Sequence, residues 1–539
     1  MTPGWAPRRG RVAARTLLAC GLLIGGLLRL GSAFVTTGPE DFWNGEWEYY
    51  GIGVQLAEAG EFRPLPGWIP TAFRMPLYPA ALSLVRRVKP GILSARILNA
   101  AADTAAIAAV AAAAGMLGGG LAGGLAAVLY AFFDPAIEQV RSPGIEAFFG
   151  LLVALALAGW VDASRRGGAR RTACSAALLG LTLSCRSTLF LMPLVLVWVL
   201  PAAGWKARLR ALVVLALGSL AFVLPWTLRN ASLFRTFIPF ENGAVSLNLW
   251  GASVGLLENP KVPLLAHSPE HGDFLARAQK ASDRDRPGVF LQESFRNILR
   301  RPAAFLGNFF RRLPLLWSEQ WLFLLLGLPL LAALCRPGSS GPKGAWVVLA
   351  VLGYFSLQAF LGVTPRYSRP AACAAAVAGS LGLLAALGRT LFGSIRAGAV
   401  PAEVWPGRLV AAAALAAAVV WSVSCVQVLS EALVWGGRFR GVPTEFLRAP
   451  SYYAALKNAN ALAVDLTFKN RTSDADYLFS EILVQEPVFT EARWNRAWLR
   501  RMVNDRNGRA ADLRGLALRL EFPAELPEGQ TVMRRMAEF

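Results

Sequence analysis

Long apolar runs alternate with short basic loops over most of the chain. These runs lie directly after Arg15 and near 92–114, 119–134, 146–162, 172–186, 187–202, 208–228, 315–335, 344–363, 370–388 and 408–430. A membrane-spanning α-helix needs about 20 mostly apolar residues. The pattern therefore predicts an all-α, polytopic membrane protein with about 11 transmembrane helices.

The pattern changes after residue 430, where charges are nearly balanced and apolar residues recur at helical spacing. Helices are predicted at 452–468, 474–484, 490–503 and 508–520. Short helices in pairs, with a proline after the second, resemble tetratricopeptide-type (TPR) repeats. We therefore predict a transmembrane domain over 1–430 and a helical, TPR-like tail over 431–539.

The basic residues follow a positive-inside pattern. They cluster ahead of the first apolar run and in short loops, at 8–15, 165–171, 206–210, 336–343 and 389–408. Such clusters mark cytoplasmic loops, so the net charge of +21 needs no nucleic-acid partner. No small-residue cleavage site follows the first run, which is therefore predicted to be a retained span. By parity the loops 37–91 and 229–313 and the tail lie outside the cytoplasm.

Two short segments of the first external loop are predicted to be helices. Residues 48–60 show apolar positions at helical spacing and end in Gly60. The segment Pro76–Val88 is shorter than the ~20 residues that a span needs. Parity leaves both of its ends outside, so we predict a helix that lies at the outer membrane interface.

Cysteine and histidine usage excludes some chemistry. The cysteines all fall in apolar segments, which predicts free, buried thiols rather than disulfides. His267 and His271 are the only histidines, Pro269 interrupts any helical face between them, and no further ligand is evident. The sequence therefore shows no clear metal site.

The first external loop is rich in carboxylates that lie close to the membrane. Glu46 and Glu48 stand within one helical turn of each other, and Asp41 precedes them. A carboxylate at such a position can act as general base toward an acceptor hydroxyl or amine. The alternative is that these acids only solvate the loop, which is our interpretation for Glu58 and Glu61.

Arginines recur beside the external span ends, at Arg74, Arg186, Arg229 and Arg366. A guanidinium group binds phosphate through a fixed fork of donors. Contact with lipid headgroups by snorkelling is the alternative for each of them. Glu146 opens a span from outside, either as a functional acid or as the structural partner of a nearby arginine. Tyr49, Tyr78 and Tyr367 are further candidates.

Several motifs follow one another in a recognisable order. They are AEAGEF at 57–62 with PTAFRMPLYP at 70–79, SPGIE at 142–146, LTLSCR at 181–186, PWTLRN at 225–230 and RYSRP at 366–370. Together they resemble the external loops of bacterial GT-C glycosyltransferases, the relatives of protein O-mannosyltransferases and lipid A aminoarabinose transferases. The resemblance covers roughly residues 10–390 and leaves the tail outside it.

The resemblance implies an enzyme of the inner (cytoplasmic) membrane with its active site on the outer, periplasmic face. Such enzymes move a sugar from a polyprenyl-phosphate donor to a glycan, lipid or protein acceptor by an inverting single displacement. Their first-loop acid is usually Asp, and Gly45-Glu46 stands at the matching place, so Glu46 is the implied base with Glu48 and Asp41 in reserve. The arginines would meet the leaving phosphate. No cofactor is required, although a divalent metal would help.

Two other classes of function fit parts of the pattern. A transporter or flippase of a lipid-linked sugar would also bind the donor, but transporters often show internal repeats and broken helices at mid-membrane. We find no such repeat, and the polar candidates gather at one face. A membrane scaffold that presents the tail to a protein partner is the third interpretation. Membrane lipids are partners in every case.

Overall fold

The computed structural model describes residues 5–35, 46–63, 70–201, 203–241, 244–256, 274, 278, 286–335, 344–361, 363–391, 404–435, 459–460, 463–464, 466–468, 470–485 and 490–517. The helices of these ranges that concern us are α1 (Trp5–Phe34), α2 (Glu46–Glu58), α3 (Leu77–Val88), α4 (Ile92–Ala131), α5 (Asp134–Glu138), α6 (Glu146–Arg166), α7 (Ala169–Cys185), α8 (Met192–Val199), α9 (Gly204–Phe234), α10 (Ala244–Ser253), α11 (Arg286–Arg300), α12 (Pro302–Leu316), α13 (Trp321–Leu334), α14 (Gly344–Ser356), α15 (Ala372–Leu391), α16 (Val404–Trp435), α17 (Thr472–Gln485), α18 (Thr490–Met502) and α19 (Arg506–Ala517). The predicted all-α class is confirmed over the described part of the chain.

The chain is a multi-pass membrane protein, but about 11 spans are not confirmed. Six helices of the described residues are long and apolar enough to cross a membrane, or seven if the bent pair α12 and α13 forms one span. That pair is bent by 109°. Other apolar runs form helices too short to count as spans, such as α8 and α14. Outer helices expose large apolar side chains, including Leu217 and Val426, as a lipid-facing surface requires.

The 40-residue helix α4 turns back on itself at Gly119. Gly119 has a positive φ of 81°, and an added Cβ at Gly123 would meet Ala111 O at 2.8 Å. In a straight helix, residues 111 and 123 would be about 18 Å apart. The two arms therefore pack against each other, which agrees with the two apolar runs predicted at 92–114 and 119–134.

Helix α6 lies at the centre of the bundle, and 89% of its most apolar 18-residue stretch is buried. It packs against α4, α7, α14 and α15. Nearby, Arg29 of α1 pairs with Asp103 of α4 at 2.5 Å, and neither side chain is exposed. The first residue of α6 is Glu146, so the centre of the fold leads directly to a candidate residue.

The predicted free cysteines are confirmed, but three of them are not buried. Cys20 and Cys174 are exposed and Cys425 is half-buried, while Cys185, Cys335 and Cys373 are buried. The prediction of buried thiols was wrong for these three because an apolar run has a lipid-facing side as well as a core-facing side.

The tail continues the helical architecture. Helix α16 runs through residue 430 to Trp435, so the helical boundary falls after the predicted division at 430/431. Helices α17, α18 and α19 follow one another closely and pack in sequence. A buried ion pair between Arg496 of α18 and Asp512 of α19 joins the last two.

Candidate active site

The candidate site forms around Tyr49 of helix α2. The Tyr49 ring is buried, and the Arg74 guanidinium lies 4.8 Å from its centroid. The ring of Tyr78, in α3, meets it edge-on at 5.7 Å. Burial raises the pKa of the Tyr49 phenol, and Arg74 opposes that shift. The hydroxyl therefore stays protonated at neutral pH and offers a donor in the site.

Arg186 and Glu146 enter the site from two neighbouring helices. Arg186 follows α7 directly, and Glu146 is the first residue of α6. Arg186 Nη1 lies 3.9 Å from Glu146 Oε1, at the long end of an ion pair. The same guanidinium lies 5.6 Å from the Tyr367 ring and 5.9 Å from the Phe149 ring. The two predicted candidates therefore meet in the structure.

Arg366 joins the site through Tyr367. Both residues belong to a short 3-10 turn at 365–367. The Arg366 guanidinium lies 5.8 Å from the Tyr367 ring, on which Arg186 also packs. Three of the predicted arginines thus gather at one end of the bundle.

Glu241 is a site residue that the sequence analysis missed. Its Oε1 accepts a hydrogen bond of 3.2 Å from the backbone N–H of Ser187, next to Arg186. Burial raises the pKa of the Glu241 carboxyl, while Arg186, Arg74 and the Ser187 N–H act in the opposite direction. The signal in the sequence was an acid eleven residues beyond the PWTLRN motif, within the loop predicted at 229–313.

Tyr78 positions the loop that carries Glu146. Its hydroxyl donates to Pro143 O at 2.7 Å and lies 3.2 Å from Asn99 Oδ1. Asn99 Nδ2 donates to Ser142 O and to Gly144 O, both at 2.9 Å. Each of the three carbonyl oxygens from Ser142 to Gly144 thus accepts a hydrogen bond. These bonds fix the backbone just ahead of Glu146 and so hold the start of α6 at the site.

Arg229 lies in a separate, fully buried cluster. Its Nε and Nη2 donate to Glu431 Oε2 at 2.9 and 2.7 Å, and its Nη1 donates to Thr71 O at 2.8 Å. Glu431 Oε1 accepts from the Phe62 N–H at 2.9 Å. Arg229 therefore joins α9, α16 and the segment before Arg74, and the structure does not bring it together with Arg186.

The candidate bases occupy the start of α2 or lie before it. Helix α2 begins at Glu46, three residues before Tyr49, and Glu48 is in its first turn. The side chains of Glu46 and Glu48, and all of Asp41, lie outside the described part of the structure. The backbone thus brings Glu46 to within one helical turn of the site's central tyrosine.

Glu58 does more than solvate the loop. Its Oε1 lies 3.2 Å from Arg86 Nη2 and also accepts a hydrogen bond from Arg471 of the tail. The interpretation of Glu58 as a purely solvated acid was wrong, because the folded tail brings a cation to it.

Within the described residues, no group of three or more His, Cys, Asp or Glu side chains could hold a metal ion. His267 and His271 lie outside those residues. Three arginines and two carboxylates lie around aromatic rings in this site, and guanidinium groups in such a setting are suited to a phosphate group.

Comparisons with known proteins give structural neighbours only. No family model matches the chain, and no curated protein matches it. Solved structures similar to it include the oligosaccharyltransferase of Archaeoglobus fulgidus in its apo form, with a TM-score of 0.46, 14% identity and coverage of 77% of this chain and 56% of that one. The oligosaccharyltransferase AglB from the same organism, in complex with an inhibitory peptide and a dolichol-phosphate, gives a TM-score of 0.44 and 15% identity, and covers 83% of this chain and 58% of that one.

A bacterial structure is also similar. ArnT from Cupriavidus metallidurans, bound to undecaprenyl phosphate, gives a TM-score of 0.37 and 13% identity over 84% of this chain and 79% of that one. These neighbours are glycosyltransferases of the GT-C superfamily, the superfamily that the motifs resemble. The chain spans little more than half the length of the archaeal enzymes.

Proposed function

We propose that this protein is a membrane glycosyltransferase that transfers a sugar from a polyprenyl-phosphate donor to an acceptor. The observation that carries the proposal is that the Arg74 guanidinium packs on the buried Tyr49 ring, while the charges of Arg186, Glu146 and Glu241 lie close enough to act on the same phenol. Two cations at a buried, aromatic site are suited to a phosphate that bears a lipid. The sequence motifs that resemble GT-C enzymes supply the reaction type.

The reaction would be an inverting single displacement. Glu46 takes a proton from the acceptor hydroxyl or amine, whose oxygen or nitrogen forms a bond to the anomeric carbon. The bond from that carbon to the phosphate oxygen breaks, and the polyprenyl phosphate leaves with the electron pair. Arg74, Arg186 and Arg366 hold the phosphate as its charge grows, which stabilises the transition state more than the ground state. Glu48 and Asp41 are the reserve bases.

The two carboxylates near the arginines have a different role in this scheme. Glu146 and Glu241 orient Arg186 and limit the net positive charge of the site before the donor binds. An arginine held by carboxylates keeps its fork of donors in a fixed geometry, so less entropy is lost on binding. The arginines supply the charge that meets the phosphate, so the proposed reaction needs no metal, although a divalent ion would help.

The proposed location follows the charge pattern of the loops. The protein lies in the inner (cytoplasmic) membrane, with the site and the tail on the outer face, where the acceptor is a glycan, a lipid or a protein. The TPR-like tail is proposed to bind a protein partner. Membrane lipids surround the apolar helices, and no nucleic acid is involved.

The test uses the purified protein in nanodiscs with a defined polyprenyl-phosphate sugar. Mass spectrometry of the reaction follows two products, the free polyprenyl phosphate and the glycosylated acceptor. Both should appear in equal amounts and only with an acceptor present. In sealed vesicles, movement of intact donor across the bilayer without release of polyprenyl phosphate would overturn the enzyme and favour the flippase.

Comparison of cells with and without the protein identifies the acceptor class. Glycolipids and glycoproteins are profiled by mass spectrometry in both. A sugar that disappears from one class in the deletion strain and returns with the wild-type protein, but not with an Arg186→Ala variant, assigns that class. Identical profiles would contradict the proposal.

A further inference from the structure

A buried carboxylate of the C-terminal tail, that of Asp474, contacts the first external loop. Its side chain is 1% exposed and lies in the first turn of α17. Oδ1 accepts a hydrogen bond from the Tyr50 hydroxyl. Oδ2 accepts from Arg86 Nη2 at 3.3 Å and from Arg471 Nη2 at 2.9 Å. We name Tyr50, Arg86, Arg471 and Asp474 the tail latch.

The tail latch and Glu58 together are electrically balanced. Arg86 and Arg471 each contact a second carboxylate, that of Glu58, so two cations face two anions. Arg86 Nη1 also donates to the Tyr50 hydroxyl oxygen at 2.8 Å. The Tyr50 ring meets the ring of Tyr477, in α17, edge-on at 5.1 Å. Removal of Asp474 alone would deprive the buried Arg86 of one of its carboxylate partners, and a buried charge with too few partners is costly. We therefore expect the hydrogen bonds of the tail latch to be specific and to depend on one another.

Helix α2 connects the tail latch to the candidate site. Tyr49 and Tyr50 are consecutive, so their side chains point about 100° apart around the helix axis. Tyr49 contacts Arg74 in the site, while Tyr50 contacts Asp474 in the tail. Helix α3 has the same arrangement, because Tyr78 lies at its site end and Arg86 lies at its tail end. A displacement of the tail would therefore move both site tyrosines.

We propose that the tail latch holds α2 and α3 in the position that sugar transfer requires, and that Asp474 is a positioning residue of the enzyme. The tail is then a working part of the active enzyme, although 424 residues separate Tyr50 from Asp474 in sequence. The claim that this restraint is needed for sugar transfer rests on the proposed function. The claim that the tail latch restrains α2 is independent of the proposed function.

The test compares two isosteric variants of the full-length protein in nanodiscs. Asp474→Asn removes the charge that faces Arg86 and Arg471. The matched control is Asp476→Asn, two residues along the same helix, whose side chain is 43% exposed and pairs with Arg500. Tyr50→Phe removes only the hydroxyl that bonds Asp474, so it tests the latch even if Asp474→Asn loosens the tail. Hydrogen–deuterium exchange at 46–58 and 77–88, donor Kd and turnover are measured for each.

We expect faster exchange at 46–58 in Asp474→Asn and Tyr50→Phe, and unchanged exchange in Asp476→Asn. Turnover should fall about 10- to 100-fold in Asp474→Asn, since small misplacements of reacting groups are costly. Donor Kd should change by a much smaller factor than turnover, because Arg186 and Arg366, two of the three proposed donor arginines, come from other elements. This split separates positioning from a general loss of folding, which would affect Kd and kcat together.

Other results overturn the inference. Wild-type exchange in both latch variants would show that the latch does not restrain α2. Faster exchange with wild-type turnover would show that restraint is irrelevant to transfer. If the wild-type protein itself transfers no sugar, the proposed function fails, and the exchange comparison alone decides whether the latch restrains α2.

Discussion

Arg229 donates two hydrogen bonds to a single carboxylate oxygen of Glu431, and both side chains are almost completely buried. The pair joins α9 to α16. Through Thr71 O and the Phe62 N–H it also holds both sides of the segment that leads to Arg74. A motif arginine that the sequence suggested for phosphate binding is thus engaged in holding the loop in place.

Loss of one member of this pair should destabilise the protein. In Glu431→Gln the Arg229 charge stays buried without its counter-ion, which typically costs about 3–5 kcal/mol. Thermal unfolding in detergent should show a clearly lower Tm, and Arg229→Ala should behave similarly. The control is Arg166→Ala, which removes a surface pair with Asp162 that is worth about 1 kcal/mol or less. A Tm for Glu431→Gln equal to that of the wild type would contradict a structural role for the pair.

Donor binding should depend on Arg186. Arg186→Ala removes a charged phosphate contact worth about 1.5–3 kcal/mol, which corresponds to a weakening of about 10- to 150-fold in Kd. Arg74→Ala should act in the same direction and also release the Tyr49 ring. Kd is measured in nanodiscs with a polyprenyl phosphate as probe, and Arg166→Ala is again the control. An unchanged Kd for Arg186→Ala would remove the arginine cluster from the donor site.

Glu46→Gln should abolish turnover and preserve donor binding. The substitution keeps the side-chain size but removes the basic lone pair, and a positioned general base contributes about two to four orders of magnitude in rate. Turnover and donor Kd are measured side by side. The control is Glu293→Gln, which affects a surface pair with Arg296. An active Glu46→Gln with an inactive Glu48→Gln or Asp41→Asn would move the base, whereas activity in all three would argue against an enzyme.

Titration of the Glu241 carboxyl should make the stability of the folded protein depend on pH. Burial raises its pKa in the folded protein, so the folded state binds this proton more tightly than the unfolded state does. Its contribution to stability is complete below the unfolded pKa and is lost as pH rises through the folded pKa. Glu241→Gln mimics the protonated form. The variant and the wild type should therefore have the same Tm at low pH, and the variant should be more stable at neutral pH. The opposite order at neutral pH would show that Arg186 and Arg74 outweigh the burial.

The topology predicts which face of the membrane carries Lys89. Lys89 directly follows α3 and is exposed, so a cysteine at this position can be reached by a reagent. Ser83, within α3, is fully buried and is not suitable for labelling. In a protein whose native cysteines are replaced by alanine, Lys89→Cys should react with an impermeant maleimide added to intact cells. Arg166→Cys, in a loop that the positive-inside rule puts in the cytoplasm, should react only after permeabilisation. The reverse pattern would invert the orientation of the site.

Local patterns in the sequence determined much of the architecture. Apolar runs and basic loops gave the all-helical membrane class, and the break between 114 and 119 corresponds to the turn at Gly119. Span-end positions singled out Arg186 and Glu146, which the structure places 3.9 Å apart. These features were readable because each depends on periodicity, length or charge within one segment of the chain.

Tertiary structure alone decided which charges meet. Glu241 reaches the site across 54 residues, Glu431 reaches Arg229 across 202, and Asp474 reaches Arg86 across 388. Hydropathy also could not give the bend of 109° between α12 and α13, and this is one reason that the number of spans was not readable from the apolar runs. A local pattern records only how apolar a segment is. A buried charge requires a counter-ion, because an unpaired charge in the interior is costly. Which residue supplies that counter-ion depends on how helices distant in sequence pack together.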